Sequence, residues 1–112
     1  MVLTRSFKQT VKARVERDTA FARALLAEGV DAFLAGDVDT GKVIIRDYIN
    51  ATVGFEKLAE ETGTPSKSLM RMFGPTGNPN ARNLFAVISS LQKASGFSLR
   101  VRGKSSASHL PR

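Results

Sequence analysis

The side chains best suited to a chemical role lie close together, between residues 66 and 71. Lys67 and Arg71 are four residues apart, and Ser66 and Met70 stand beside them. Cations neutralise phosphates and donate to guanine, a hydroxyl hydrogen-bonds to base edges, and an apolar side chain suits the methyl group of thymine. This combination of residue types indicates contact with the bases and phosphates of a nucleic acid.

Groups for catalysis or metal binding are scarce in this chain. It has no cysteine and a single histidine, His109, near the C-terminus. A catalytic triad, a thiolate site or a multi-histidine metal site therefore cannot be assembled. The sequence DVDTG at 37–41 begins like a calcium loop, but the twelfth position, which needs an acid, is Tyr48. We expect no enzymatic activity, no metal and no other cofactor.

The formal net charge of +7 is distributed unevenly. All ten acidic residues lie between Glu16 and Glu61, whereas residues 62–112 contain basic residues and no acid. That half must present a positive potential, so polyanions are its natural partners. No apolar run is long enough to span a membrane, and the first residues lack the pattern of a secretory signal. We expect a cytoplasmic protein without a membrane partner.

Capping residues and apolar spacing predict three helices in the first half of the chain. The first buries an apolar stripe and begins near Ser6. Asp18 begins the second, which ends at Gly36, and Asp39 or Thr40 begins the third. The apolar residues expected to face the core from the second, third and last helices include Leu26, Leu34, Val43, Ile44, Tyr48, Ile49, Leu84, Phe85, Val87, Ile88 and Leu91.

Two short helices with a tight turn between them are predicted within the sequence FEKLAEETGTPSKSLMRMF. Gly63 ends the first helix, Thr64 caps the second, and Pro65 occupies its first position. The small Ala59 lets the second helix approach, and Leu69 faces back onto the first. This spacing is typical of a helix-turn-helix.

The last part of the chain predicts a loop over residues 74–79, a long helix ending at Gly96, and a strand over residues 97–102 with alternating apolar and polar side chains. A lone strand needs a partner for its backbone groups, either its own copy in a dimer or a strand of another protein. The expected fold is all-α, with a helical extension at 1–38, a compact helix-turn-helix domain with a short C-terminal β-strand at 39–102, and a disordered tail at 103–112.

Residues 44–101 resemble the Cro/CI-type helix-turn-helix proteins, and most closely the antitoxins, or addiction-module antidotes, of type II toxin–antitoxin systems. The stretches that carry the resemblance are LAEETG, SLMRMFG, GNPNARNLF and FSLRV. It implies a lambda-repressor-like fold, a homodimer on a double-stranded DNA operator, repression of its own operon, and neutralisation of a small RelE/ParE-like toxin. Thr64 departs from the family pattern, where an apolar residue is usual, and so does Pro65, where a polar residue often begins the second helix.

The same resemblance assigns DNA contacts to nine residues. Four on the second helix would read bases: Ser66, Lys67, Met70 and Arg71. The others would contact phosphates, at the start of the first helix, in the loop after the second, and on the helix that follows: Thr52, Gly54, Thr76, Asn78 and Arg82.

Two other functions remain open on the sequence. A transcription regulator without a toxin would use the same domain, and the neighbouring reading frame distinguishes that case. A basic adaptor that binds protein or RNA is the second alternative. It predicts that removal of Lys67 and Arg71 does not abolish binding to duplex DNA.

Overall fold

The computed structural model describes residues 2–105, with side chains from residue 9 onward, and shows six helices and no strand within that part of the chain. The expected all-α class is therefore confirmed for these residues. The helices, in chain order, are α1 (Val2–Arg17), α2 (Thr19–Leu34), α3 (Val38–Ala51), α4 (Gly54–Thr62), α5 (Ser66–Met72) and α6 (Ala81–Ser95). Most of the tail predicted at 103–112 lies outside the described residues.

Local capping chemistry explains most helix ends. The Asp18 carboxylate accepts from the backbone N–H of Phe21 at 3.1 Å, so Asp18 caps α2 as predicted. Gly63 and Gly96 end α4 and α6 in the left-handed conformation, with φ of 75° and 80°. Both endings are confirmed, because a glycine adopts positive φ without a Cβ clash.

Three predicted helix starts are wrong by a few residues. The first helix begins at Val2 and continues through Ser6. The third was expected to begin at Asp39 or Thr40, but Asp37 caps it, and the Asp37 carboxylate accepts from the Thr40 N–H at 3.3 Å. Only residues 35–37 separate α2 from α3, so α3 begins earlier than predicted. The fifth begins after Pro65, which has an extended ψ of 143° and therefore stands outside the helix.

One hydrophobic core runs through all six helices. Buried side chains extend from Val15 on α1 to Leu91 on α6, and the pairing of α2 with α3 is the most extensive helix contact. The core is thus continuous across residue 38, the predicted boundary between extension and domain. Leu34, Val43 and Phe85, expected inside, are 64%, 45% and 63% exposed.

The strand predicted over residues 97–102 is not present in the described chain. Strand hydrogen bonding requires a second strand, and the described residues contain none. Instead, the Leu99 N–H donates to the Gln92 side-chain oxygen at 2.6 Å, which holds the segment against α6. Phe97 and Leu99 pack on the core, as the alternating pattern predicts, whereas Val101 is 81% exposed.

Tyr48, the single tyrosine of the chain, is fully buried, and its hydroxyl hydrogen-bonds to Ser95 Oγ at 2.5 Å. This bond ties α3 to α6. Burial raises the pKa of Tyr48 above its usual value of 10.0, and the bond to Ser95 opposes the rise. Because the unfolded chain releases this proton at lower pH than the folded one, the contribution of Tyr48 to stability decreases as the pH rises above about 10.

Replacement of Tyr48 by phenylalanine is expected to lower the free energy of unfolding by about 1 kcal/mol near neutral pH, because one hydrogen bond is lost while the ring remains. The difference between wild type and variant should shrink at alkaline pH. Urea unfolding of both proteins at about pH 8 and about pH 10.5 measures this. A difference that grows with pH would contradict the assignment.

Candidate nucleic-acid interface

The helices α4 and α5 are joined by only three residues, 63–65. Gly63 donates its N–H to the carbonyl of Ala59 at 2.9 Å, which closes α4 and redirects the chain. Leu58 of α4 and Leu69 of α5 are almost completely buried, and Ala59 packs against the same core. The two short helices are therefore held together by their apolar faces, which leaves the opposite face of α5 free.

The outer face of α5 carries the side chains that the sequence singled out. Lys67, Met70 and Arg71 are exposed, and their spacing of three and four residues places them on one side of the helix. The ion pairs of the described residues all lie between residues 12 and 42, so Lys67 and Arg71 have no acidic partner there. Both cations are free to meet an external anion.

Ser66, at the beginning of α5, already has a partner. Its hydroxyl donates to the Glu56 carboxylate on α4 at 3.3 Å. Glu56 was not among the predicted site residues, although it lies in the first turn of α4, the first of the two short helices. Its negative charge at this end of α5 disfavours a phosphate beside Ser66, whereas a carboxylate accepts from the amino group of cytosine.

The loop after α5 carries the next two predicted residues. Thr76 and Asn78 are exposed in the segment between α5 and α6, and Arg82 is exposed in the first turn of α6. The Asn80 side chain accepts from the backbone N–H of Asn83 at 2.8 Å and so fixes the start of α6. The predicted loop is confirmed, and its polar side chains face solvent.

A buried lysine holds this loop in place. Lys42 of α3 is 4% exposed, and its ammonium group donates to the carbonyl oxygens of Gly77 at 2.7 Å, Gly74 at 2.9 Å and Pro75 at 3.4 Å. Asp39 lies 3.7 Å away on the exposed side. A lysine is almost never this buried unless its donors are satisfied, and here three carbonyl oxygens satisfy them. We call the hydrogen bonds from Lys42 to these three carbonyls the Lys42 clamp.

Sequence reasoning missed the Lys42 clamp, although one signal was available. Lys42 lies three residues before Ile45 and seven before Ile49, on the stripe of α3 that faces the core. A cation at such a position requires internal acceptors. Which carbonyls supply them is decided by a loop more than 30 residues away.

Gly77 lies so close to the end of α5 that no side chain fits there. A Cβ atom on Gly77 would overlap the carbonyl oxygen of Arg71 and lie 2.6 Å from that of Met72. The loop therefore folds back directly onto the last turn of α5. Together with the Lys42 clamp, this contact fixes how Thr76 and Asn78 stand relative to the exposed face of α5.

The two phosphate contacts predicted at the start of α4, Thr52 and Gly54, differ from each other. The Thr52 hydroxyl donates to the Tyr48 carbonyl at 2.7 Å, and its N–H donates to Ile49 at 3.2 Å, so both donors are used at the end of α3. Gly54 begins α4, and no side chain caps that end of the helix. A phosphate contact at this end therefore depends on the N–H groups of α4 and not on Thr52.

No known protein family, curated protein or solved structure matches this chain significantly. Among the described residues, no group of three or more histidine, cysteine, aspartate or glutamate side chains is arranged to hold a metal. In the same part of the chain, every helix is too short or too polar to cross a bilayer.

Proposed function

We propose that this chain is a sequence-specific, double-stranded DNA-binding repressor of transcription in which α4 and α5 act as a helix-turn-helix. The observation that carries the proposal is the exposed face of α5, on which Lys67 and Arg71 have no acidic partner among the described residues. Both lie in the half of the chain that contains no acid. The three-residue connection that begins with Gly63 agrees with the layout of the motif.

In the proposed mechanism, α5 enters the major groove of the operator. Lys67 and Arg71 donate to guanine or neutralise phosphates, and Met70 contacts thymine methyl groups. The hydroxyl of Thr76 and the amide of Asn78 donate to the phosphate backbone beside the groove. The Lys42 clamp holds the loop that carries them, so that these contacts form without reordering of the loop.

The proposed repressor acts as a homodimer. Two copies related by a two-fold axis place two α5 helices in successive major grooves, about 34 Å apart. If the operator lies upstream of the gene for this chain, the bound dimer blocks the promoter and so represses its own operon. The resemblance adds a proposed role as an antitoxin. Two observations would support this role: an adjacent gene that encodes a small basic protein, and copurification of that protein with this chain.

The decisive experiment measures binding to a duplex from the chain's own upstream region across a salt series, for the wild type and for Lys67→Ala/Arg71→Ala. We expect the wild type to prefer this duplex over one of scrambled sequence, and the double variant to lose the preference. If both residues contact phosphates, the slope of log K against log [salt] should become shallower by about two, at roughly 0.9 per contact.

The matched control is Arg23→Ala/Lys57→Ala, which removes the same two charges from exposed positions on α2 and α4. It should retain the preference for the upstream duplex. Equal loss in both variants, or unselective binding that is unchanged by Lys67→Ala/Arg71→Ala, would overturn the proposal. The latter result would favour an adaptor with a general polyanion surface.

A further inference from the structure

An apolar groove opens on a surface that the proposed DNA contacts do not use. It lies between the end of α2, the middle of α6 and the segment after α6, and its volume is about 270 Å³. Six large apolar side chains are exposed in the described chain, and three of them line this groove: Leu34, Phe85 and Val101. An exposed apolar cluster of this kind on a small protein marks a binding surface.

The Gln92 side chain fixes the wall of the groove that the segment after α6 provides. Its oxygen accepts from the Leu99 N–H at 2.6 Å, and its amide group donates to the carbonyl of Ile88 at 3.4 Å. Leu99 also packs against the core, and Ile88 is buried. This wall is therefore held in place by the protein itself, so that a ligand does not have to order it on binding.

One side of the groove is cationic. Arg100 and Arg102 both line it on the segment after α6, and Asp31 lies on the opposite, α2 side. None of the three forms an ion pair within the described residues. A guanidinium group binds a carboxylate through two parallel hydrogen bonds, so an anionic group on a ligand is matched at the arginine side. Asp31 disfavours a second negative charge on the α2 side.

We propose that this groove binds a small organic acid with one carboxylate and an apolar body. The apolar body lies against Leu34 and Phe85, and the carboxylate meets Arg100 and Arg102. An apolar lining with a few polar groups on one side is the usual composition of a small-molecule site. The proposal goes beyond the proposed function and does not depend on it, since no residue of the groove is among the proposed DNA contacts.

The size of the groove limits the ligand. An apolar cavity of about 150 Å³ holds one benzene molecule, so a groove of about 270 Å³ suits a ligand of roughly ten non-hydrogen atoms. A ligand of this size binds with a dissociation constant on the order of 1 mM.

The same size argues against a protein as the occupant. Eleven residues line the groove, about half of the 20–30 that a standard interface takes from each partner. A protein partner would therefore need further contacts outside the groove, whereas a small acid uses the apolar lining and the two arginines completely.

Titration of the isotope-labelled full chain with octanoate, followed by the NMR shifts of its backbone amides, tests the proposal. Octanoate has an eight-carbon body and a carboxylate that is ionised at neutral pH, and octan-1-ol is its uncharged counterpart. We expect octanoate to shift the amides of the groove residues in a saturable manner. Octan-1-ol should bind at the same place at least about fivefold more weakly, because it offers the arginines no charge.

Two variants separate the contributions of charge and apolar contact. Arg100→Gln/Arg102→Gln should weaken octanoate binding at least about tenfold and leave octan-1-ol binding unchanged, because only the charged partner of the carboxylate is removed. Phe85→Asp should weaken the binding of both probes, since a carboxylate then enters the apolar contact. All three side chains are exposed, so the helical circular dichroism should not change.

The matched control is Arg23→Gln/Lys57→Gln, which removes two exposed charges outside the groove. It should bind octanoate as the wild type does. Equal weakening in this control, equal affinity for the two probes, or amide shifts confined to other parts of the chain would overturn the proposal. Groove amides that do not respond to octanoate but shift with protein concentration would also overturn it, because a second copy would then cover the groove.

Discussion

Replacing Lys42 by methionine is expected to lower the free energy of unfolding by about 3 kcal/mol. Methionine has a similar length but no donor, so the carbonyls of Gly74, Pro75 and Gly77 lose the ammonium group that they share. Hydrogen bonds to a charged group contribute roughly 1.5–3 kcal/mol each, and the cost of burying the lysine offsets part of their sum. Urea unfolding followed by circular dichroism measures the change.

Lys57→Met is the matched control for this prediction, because it makes the same chemical change at an exposed lysine of α4. It should change stability by less than about 0.5 kcal/mol. Lys42→Arg is not expected to rescue, since a planar guanidinium cannot direct its donors to three carbonyls as an ammonium does. A Lys42→Met protein as stable as the control would show that the loop is held by other contacts.

Loss of the Lys42 clamp should also weaken DNA binding at temperatures where the variant remains folded. A mobile loop must be ordered when Thr76 and Asn78 meet the phosphates, and that ordering has an entropic cost. We expect weaker binding to every duplex sequence, with the preference for the upstream duplex kept. A change in preference would indicate that Lys42 positions the base-reading residues of α5 themselves.

Replacing Gly77 by alanine is expected to cost at least about 3 kcal/mol, which corresponds to a drop in melting temperature of about 12 °C or more. The added Cβ would overlap the carbonyl of Arg71 and press on that of Met72. Both obstacles are backbone atoms of the last turn of α5, so no side-chain rotation relieves the clash. Either the loop leaves its position or α5 unwinds at its end.

Gly103→Ala is the control for Gly77→Ala, because a Cβ on Gly103 meets nothing within 4 Å and its φ needs no glycine. Its melting temperature should remain within about 2 °C of the wild type. Thermal unfolding of the wild type, Gly77→Ala and Gly103→Ala measures the three melting temperatures. A Gly77→Ala protein that melts with the control would mean that the loop moves away from α5 at little cost.

Local chemistry made much of the helix pattern predictable. The endings at Gly63 and Gly96 and the cap at Asp18 depend on atoms within about four residues, and all three were predicted correctly. The exposure of Lys67, Met70 and Arg71 followed from their helical spacing opposite Leu69. Errors arose where two neighbouring residues compete for one cap, as Asp37 and Asp39 do at the start of α3.

Which side of a helix is buried was harder to predict than where the helix ends. Leu34, Val43 and Phe85 were expected to face the core, yet their side chains are 64%, 45% and 63% exposed. An apolar residue can serve the core or an interface, and the spacing is the same for both. The strand expected at 97–102 is not seen in the described chain, because a strand forms only with a partner strand and this part of the chain supplies none.

The sequence alone therefore determined the helical class, the helix start at Asp18, the helix endings at Gly63 and Gly96, and the cationic character of the second half, since every acid lies before residue 62. These properties depend on composition or on neighbours along the chain. Tertiary structure decided that Lys42 reaches the loop 35 residues ahead of it, and that Gly77 lies against α5. Such contacts join distant parts of the chain, so they exist only after the helices have packed.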